Sequence, residues 1–161
     1  MKKKINASQR PSPDNVFKSA LDDTDDLKDG FQKGLKALKG DSHMVTVTDG
    51  KKLMGSVDID ECTKYLYPND ARWDYAIGYG KNAYFVEVHP ANTSNVNEMI
   101  NKAKWLDNWL KYKACHLAQL RKDKANYWIP SGKVKILPNS AQYRNMAKCN
   151  LIIKSVPFNI G

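Results

Sequence analysis

Cysteine is scarce in this chain, and no long apolar segment occurs in it. The three cysteines, Cys62, Cys115 and Cys149, are far apart in a chain of 161 residues. Their number is odd and no two of them form a C-x-x-C pair, so the sequence does not favour a disulfide framework or a zinc site. No run approaches the roughly 18 apolar residues that a membrane span requires, and no apolar segment follows the charged start. We therefore expect a cytoplasmic protein that is neither secreted nor inserted into a membrane.

Acidic residues are nearly absent from the second half of the chain. Residues 1–99 contain 14 Lys and Arg against 15 Asp and Glu, whereas residues 100–161 contain 12 Lys and Arg against only Asp107 and Asp123. The net charges of the two parts are therefore −1 and +10. A surface with this excess attracts a polyanion, and nucleic acid is the commonest one in a cytoplasm. An acidic protein, an anionic lipid, or lysines that only maintain solubility are the alternatives.

The length and the 42% hydrophobic content are those of one globular domain. Residues 1–14 carry four basic residues and two prolines with hardly any apolar residue, which predicts a flexible basic tail. Residues 15–161 then form a single α/β domain.

Hydrophobic periodicity within residues 15–161 predicts the order of its elements. A helix capped by Asp14 or Asn15 should end by Gly40, with a break in its acidic centre. We expect strands at 44–48 and 53–59 that pair with each other, a hairpin of 73–79 with 82–89, and a long helix from 93 or 94 to about 124. Strands at 127–129, 134–137 and 151–156 and a short helix at 139–148 complete the pattern. This order describes a mixed central sheet flanked by helices.

The predicted hairpin places two acidic side chains opposite each other. With a two-residue turn at 80–81, Asp74 faces Glu87, and His89 lies on the same face as Glu87 because side chains alternate along a strand. A turn shifted by one residue would oppose Asp74 to His89 instead, and a three-residue loop would break the arrangement. Facing carboxylates repel, so the pair predicts a bound divalent cation, Mg²⁺ or Mn²⁺. The alternative is a solvated sheet edge that binds nothing.

A motif in this part of the chain consists of Asp74, twelve intervening residues and then Glu87-Val88-His89, and a long amphipathic helix follows it. This motif resembles that of the PD-(D/E)XK nuclease superfamily, which has the restriction-endonuclease-like fold. The similarity covers roughly residues 15–137 in element order. It implies that Asp74 and Glu87 hold Mg²⁺ and that the protein hydrolyses phosphodiesters in DNA. The family pattern has a carboxylate-x-lysine on the second strand, where a lysine orients or activates the attacking water and stabilises the transition state.

His89 stands where the family has this lysine. Histidine can transfer a proton or bind a metal, but it lacks the permanent positive charge of lysine. Some family members carry the lysine on the neighbouring helix, and Lys102 lies at the flank of the apolar stripe there, so it could reach the hairpin; it could equally be a snorkelling lysine beside a buried face. An acid from the first helix, between Asp22 and Asp29, could join the site.

Lys133 and Lys135 alternate with apolar residues and predict the outer face of a strand, where they could contact phosphates. The resulting expectation is a Mg²⁺-dependent deoxyribonuclease with DNA as its partner, and a homodimer is left open. The alternatives are a catalytically inactive nucleic-acid- or protein-binding module of the same fold, and an unrelated interaction domain with an acidic partner.

Overall fold

The computed structural model describes residues 15–161. The predicted basic tail, residues 1–14, lies outside the described residues. No helix among residues 15–161 is both long enough and apolar enough to cross a membrane.

The helices and strands within this range follow one another in a mixed α/β order. The strands are β1 (Val45–Val47), β2 (Leu53–Asp58), β3 (Tyr75–Tyr79), β4 (Asn82–His89), β5 (Arg121–Pro130), β6 (Leu151–Ile153) and β7 (Phe158–Ile160). The α-helices are α1 (Val16–Asp22), α2 (Ile59–Thr63), α3 (Val96–Tyr112), α4 (Cys115–Ala118) and α5 (Ala141–Lys148). Short 3-10 helices span Asp25–Leu27, Lys36–Met44, Gly50–Lys52 and Thr93–Asn95.

A mixed five-stranded sheet in the order β2-β3-β4-β5-β6 forms the centre of the fold. The pairs β2-β3 and β3-β4 are antiparallel, whereas β4-β5 and β5-β6 are parallel. A separate two-stranded parallel sheet joins β1 to β7. The predicted fold class, a mixed central sheet flanked by helices, is therefore confirmed.

The alternation of side chains along β4 divides the core between the two faces of the sheet. Ala83 and Phe85 pack with α1 and α3 on one face, whereas Tyr84 and Val86 pack with β7 and the Lys36–Met44 segment on the other. Glu87 and His89 continue the alternation on the face that α3 covers. The site residues of β4 therefore point toward a helix.

Helix α1 approaches β3 closely at a glycine. A Cβ atom added to Gly78 would lie 2.3 Å from Cγ of Phe17, so a larger residue would displace the helix from the sheet. Asn15 caps this helix as expected, because its side chain accepts a hydrogen bond from the Lys18 backbone N–H.

The first predicted helix is much shorter than its hydrophobic pattern indicated. Helix α1 ends at Asp22, and the acidic centre forms a 3-10 turn instead. Aspartate competes with the helical backbone for hydrogen bonds and has low helix propensity. The expected break is present, but the helix does not resume beyond it: residues 36–44 form 3-10 turns with a non-helical kink at Lys39.

Three further expectations about the elements are wrong. Strand β1 pairs with β7 rather than with β2, because Asp49 caps a 3-10 helix instead of closing a hairpin. The long helix ends at Tyr112, and β5 begins at Arg121, where pairing with β4 prevails over helical periodicity. Residues 134–137 form no strand; Lys135 makes one isolated bridge to Asn92.

Candidate active site

The β3-β4 hairpin closes with the two-residue turn expected at 80–81. Tyr79 pairs with Asn82, and Tyr75 pairs with Val86, which brings Asp74 beside Glu87 at the open end of the hairpin. Both carboxylates then bind backbone N–H groups across the strands. Asp74 N–H donates to Oε2 of Glu87 at 2.8 Å, and Val88 N–H donates to Oδ2 of Asp74 at 3.1 Å. The hydrogen bonds fix the orientation of both side chains.

Lys102 of α3 reaches back to this pair. Its Nζ donates a hydrogen bond to Oε1 of Glu87. The Glu87 side chain is only 1% exposed and that of Lys102 is 16% exposed, so the ion pair is shielded from solvent. An ammonium has three N–H donors, and two remain for other acceptors. Of the two candidates for the lysine position, the structure brings Lys102 to the second carboxylate.

Burial changes the acidity of both carboxyl groups. It raises the pKa of Asp74 from 3.8 to about 6, against the opposing effects of the Lys102 charge and the Val88 N–H. Burial also raises the pKa of Glu87, and repulsion from Asp74 adds to this while Lys102 opposes it. For Lys102 burial lowers the pKa, but the adjacent Glu87 outweighs it, so the net pKa is raised. The two acids are thus held in a strained electrostatic arrangement that an additional cation would relieve.

His89 contacts a different acid. Its Nε2 lies 3.3 Å from Oε2 of Glu98, and its Nδ1 lies 3.0 Å from the Pro90 carbonyl oxygen. The ring also packs edge-on against Trp128. His89 forms no hydrogen bond with Asp74 or Glu87 within the described chain. Sequence reasoning did not identify Glu98, although its spacing of four residues from Lys102 places both on one flank of α3.

None of the aspartates between 22 and 29 hydrogen-bonds to Asp74, Glu87 or Lys102 in residues 15–161. Asp26 instead accepts hydrogen bonds from the Tyr67 hydroxyl at 2.7 Å and from Nε1 of Trp109 at 2.9 Å. Asp26 therefore serves as a hydrogen-bond acceptor that holds Tyr67 and Trp109 in place. An acid from the first helix therefore does not complete this site.

Lys133 and Lys135 are exposed, as predicted, but they lie in a loop rather than on a strand. They line a cleft of about 290 Å³ beyond the carboxyl ends of β4 and β5. Two hydrogen bonds hold the loop to the turn before α3: Lys135 N–H donates to the Ala91 carbonyl at 2.7 Å, and the Thr93 hydroxyl donates to the Lys135 carbonyl at 3.2 Å. The cleft thus lies beside His89, at the same end of the strands as the two carboxylates.

Asp74 and Glu87 are the residues that could hold a divalent cation. Residues 15–161 contain no group of three or more His, Cys, Asp or Glu side chains placed around one metal position. A pair of carboxylates is nevertheless enough for Mg²⁺, which binds through one or two carboxylates and completes its shell with water and substrate phosphate. Among the hydrogen bonds within residues 15–161, none reaches Oδ1 of Asp74, so this oxygen keeps its acceptor capacity for such an ion.

Comparison with protein-family models, with curated proteins and with solved structures finds no match to this chain.

Proposed function

We propose that the protein is a divalent-metal-dependent nuclease of the restriction-endonuclease-like fold, hydrolysing phosphodiesters in DNA. The observation that carries the proposal is the buried contact of Asp74, Glu87 and Lys102. Asp74 directly precedes β3, Glu87 lies on β4, and Lys102 lies on α3. In the order α1, β1, β2, α2, β3, β4, α3, α4, β5 the hairpin that carries the acids precedes the long helix, as in the element order on which the resemblance rests.

Each residue has a distinct role in this proposal. Asp74 and Glu87 hold Mg²⁺ or Mn²⁺ through carboxylate oxygens. Such an ion polarises a phosphodiester and lowers the pKa of bound water. Lys102 favours the ionised form of Glu87 by donating to Oε1, against burial and the repulsion from Asp74, which raise the pKa of Glu87. Its remaining N–H groups donate to a phosphate oxygen or to the attacking water. Lys102 thereby takes the role of the family's lysine, for which the sequence offered both His89 and Lys102.

His89 and Glu98 lie next to this group at the carboxyl end of β4. The carboxylate of Glu98 accepts a proton or hydrogen bond from Nε2 and so orients the imidazole. Both ring nitrogens face acceptors, Glu98 and the Pro90 carbonyl, so in the proposed site the ring positions water or accepts a proton only after one of these contacts opens at the mouth of the cleft that Lys133 and Lys135 line. Crevices outside the carboxyl ends of parallel strands are common ligand sites in α/β sheets.

A cleavage assay tests this function. Purified full-length protein is incubated with labelled single- and double-stranded DNA and RNA in Mg²⁺ or Mn²⁺. Wild type should cleave DNA, whereas Glu87→Gln should lower the rate by about 10²-fold or more, in the range seen when a preorganised electrostatic group is removed. Glu61→Gln is the matched control, because Glu61 is exposed and pairs only with Lys64 on the surface.

The second candidate is a module of the same fold that binds nucleic acid without hydrolysis. It is favoured by the Lys102–Glu87 ion pair, which already supplies a positive charge to the buried carboxylate. DNA binding that depends on Lys133 and Lys135, without cleavage in any divalent metal, would support it. If His89→Lys also stays inactive, the nuclease proposal is wrong.

A further inference from the structure

A polar groove runs along the opposite flank of α3 from Lys102. Its volume is about 600 Å³, and residues of α3 and α5 line it together with Cys149. Asn97, Asn101 and Lys104 face it from α3, spaced four and three residues apart, and Asn145 and Lys148 face it from α5. Lys104 lies about 200° around the helix from Lys102, at roughly 100° per residue. The groove is therefore separate from the carboxylate site.

The groove presents hydrogen-bond donors and positive charge. Neither Lys104 nor Lys148 has a carboxylate within salt-bridge distance among residues 15–161. Asp107 is near this flank, but it pairs with Arg121 at 2.8 Å. The lining contains no acidic and no aromatic side chain. Anionic oxygens are thus the ligand chemistry that the lining matches.

Cys149 does not supply reactivity to the groove. Burial raises the pKa of its thiol, against the effect of nearby Lys104. Its Sγ donates to the Asn145 carbonyl at 3.2 Å. The protonated thiol is a poor nucleophile. The groove therefore has the features of a binding surface rather than of a second catalytic centre.

The position of the groove connects it with the cleft of Lys133 and Lys135. The cleft lies before the 3-10 turn Thr93–Asn95 that opens α3, and Asn97, in the first turn of α3, begins the groove. The cleft and the groove therefore lie at successive positions near the amino end of α3, and each has two lysines in its lining.

From this arrangement we infer that the α3–α5 groove binds the phosphodiester backbone of duplex DNA outside the position where the strand is cut. The inference rests on the proposed function, because it takes the carboxylate site as the place of cleavage. Single strands are usually bound by a basic groove combined with aromatic stacking platforms. This groove has no aromatic lining residue and combines three asparagine amides and two ammonium groups with the apolar Ile100. Such a lining suits the outward-facing phosphates of a duplex and gives contact without base readout.

Salt-dependent binding tests the groove. A labelled duplex is titrated with full-length protein by fluorescence anisotropy, without divalent metal so that no cleavage occurs. The logarithm of the binding constant falls with the logarithm of salt concentration by about 0.9 per neutralised phosphate. Lys104→Gln combined with Lys148→Gln should therefore reduce the steepness of this slope by about 1.8. Duplexes of unrelated sequence should all show the same reduction.

Lys51→Gln combined with Lys52→Gln is the matched control. Both lysines are exposed and lie next to β2, at the opposite edge of the sheet from β6. This double variant removes the same charge and should leave the slope unchanged. Thermal unfolding checks that both variants fold, which is expected because all four side chains are exposed.

Three results would overturn the inference. One is an equal slope for wild type and the groove variant, another is an equal loss in the control, and the third is no duplex binding by wild type at low salt. None of these results decides the proposed hydrolysis, because cleavage and its loss in Glu87→Gln are measured separately and need no stable complex.

Discussion

Replacing Asp74 by asparagine should stabilise the protein in the absence of metal while removing its proposed activity. The carboxyl group has a pKa raised from 3.8 to about 6, so its ionised form is disfavoured by folding. Each pKa unit corresponds to 1.36 kcal/mol, which gives an upper limit of about 3 kcal/mol above pH 6. Because Asp74 is partly exposed, we expect a gain of about 1–3 kcal/mol for Asp74→Asn.

The asparagine side chain keeps the shape of the site. Its carbonyl oxygen can still accept the Val88 N–H bond that Oδ2 of Asp74 accepts at 3.1 Å. Loss of the negative charge also removes the repulsion that raises the pKa of Glu87. Both effects favour the folded state. A gain of this size corresponds to a rise in Tm of roughly 2–12 °C for a chain of this length.

The raised pKa of Asp74 also determines how the stability of the wild type changes with pH. A carboxyl group with a raised pKa in the folded state keeps its proton when the unfolded chain has already lost it. Stability of the wild type therefore falls as the pH rises from about 4 to about 6, the window between the ordinary and the raised pKa of Asp74. The difference between Asp74→Asn and wild type should be near zero at pH 4 and complete at pH 8.

Thermal and urea unfolding with EDTA at several pH values measure this difference. Asp22→Asn is the control, because Asp22 forms an exposed ion pair with Lys18 on α1 and its loss should cost about 0.2–1 kcal/mol. Added Mg²⁺ should reverse the order by stabilising wild type, with about 2.7 kcal/mol at a hundred times the dissociation constant, but not Asp74→Asn. Destabilisation by Asp74→Asn at pH 8 without metal, or a gain independent of pH, would refute the reasoning.

The other predictions concern the remaining members of the site and the basic cleft. Lys102→Met should destabilise the protein by about 3–5 kcal/mol at a pH where Glu87 is ionised, since an unpaired buried charge remains. Urea unfolding should show a smaller loss below about pH 8, because the raised pKa of Glu87, about 8, leaves it protonated there. Lys111→Met is the exposed control on the same helix. His89→Lys should preserve or increase hydrolysis, whereas His89→Ala should lower it without preventing metal binding by calorimetry; equal rates for both variants and wild type would exclude a role for this side chain. Reversing the charges of Lys133 and Lys135 should weaken DNA binding for all sequences alike, as measured by anisotropy at low salt, and unchanged affinity would remove the cleft from the interface.

The sequence alone predicted the central hairpin, and the structure then selected the two-residue turn that pairs its two acids. Its apolar runs flank a Gly-Lys turn, and a strand period of two leaves only one face for Asp74 and Glu87. The mixed sheet also followed from the order of helical and β periods. Such local signals are strong because backbone conformation and side-chain alternation act over a few residues.

Tertiary contacts determined the strand pairings, helix ends and side-chain contacts that the local sequence pattern did not predict or predicted incorrectly. The pairing of β1 with β7 joins segments separated by 113 positions, and no periodicity within either three-residue strand predicts it. Pairing of β5 with β4 ended the helical pattern that otherwise continued past Tyr112. Packing of α3 on the sheet brought Lys102 to Glu87 and Glu98 to His89. Sequence spacing fixes which side chains share a helix flank, but only the position of the helix on the sheet determines which acid or base they meet.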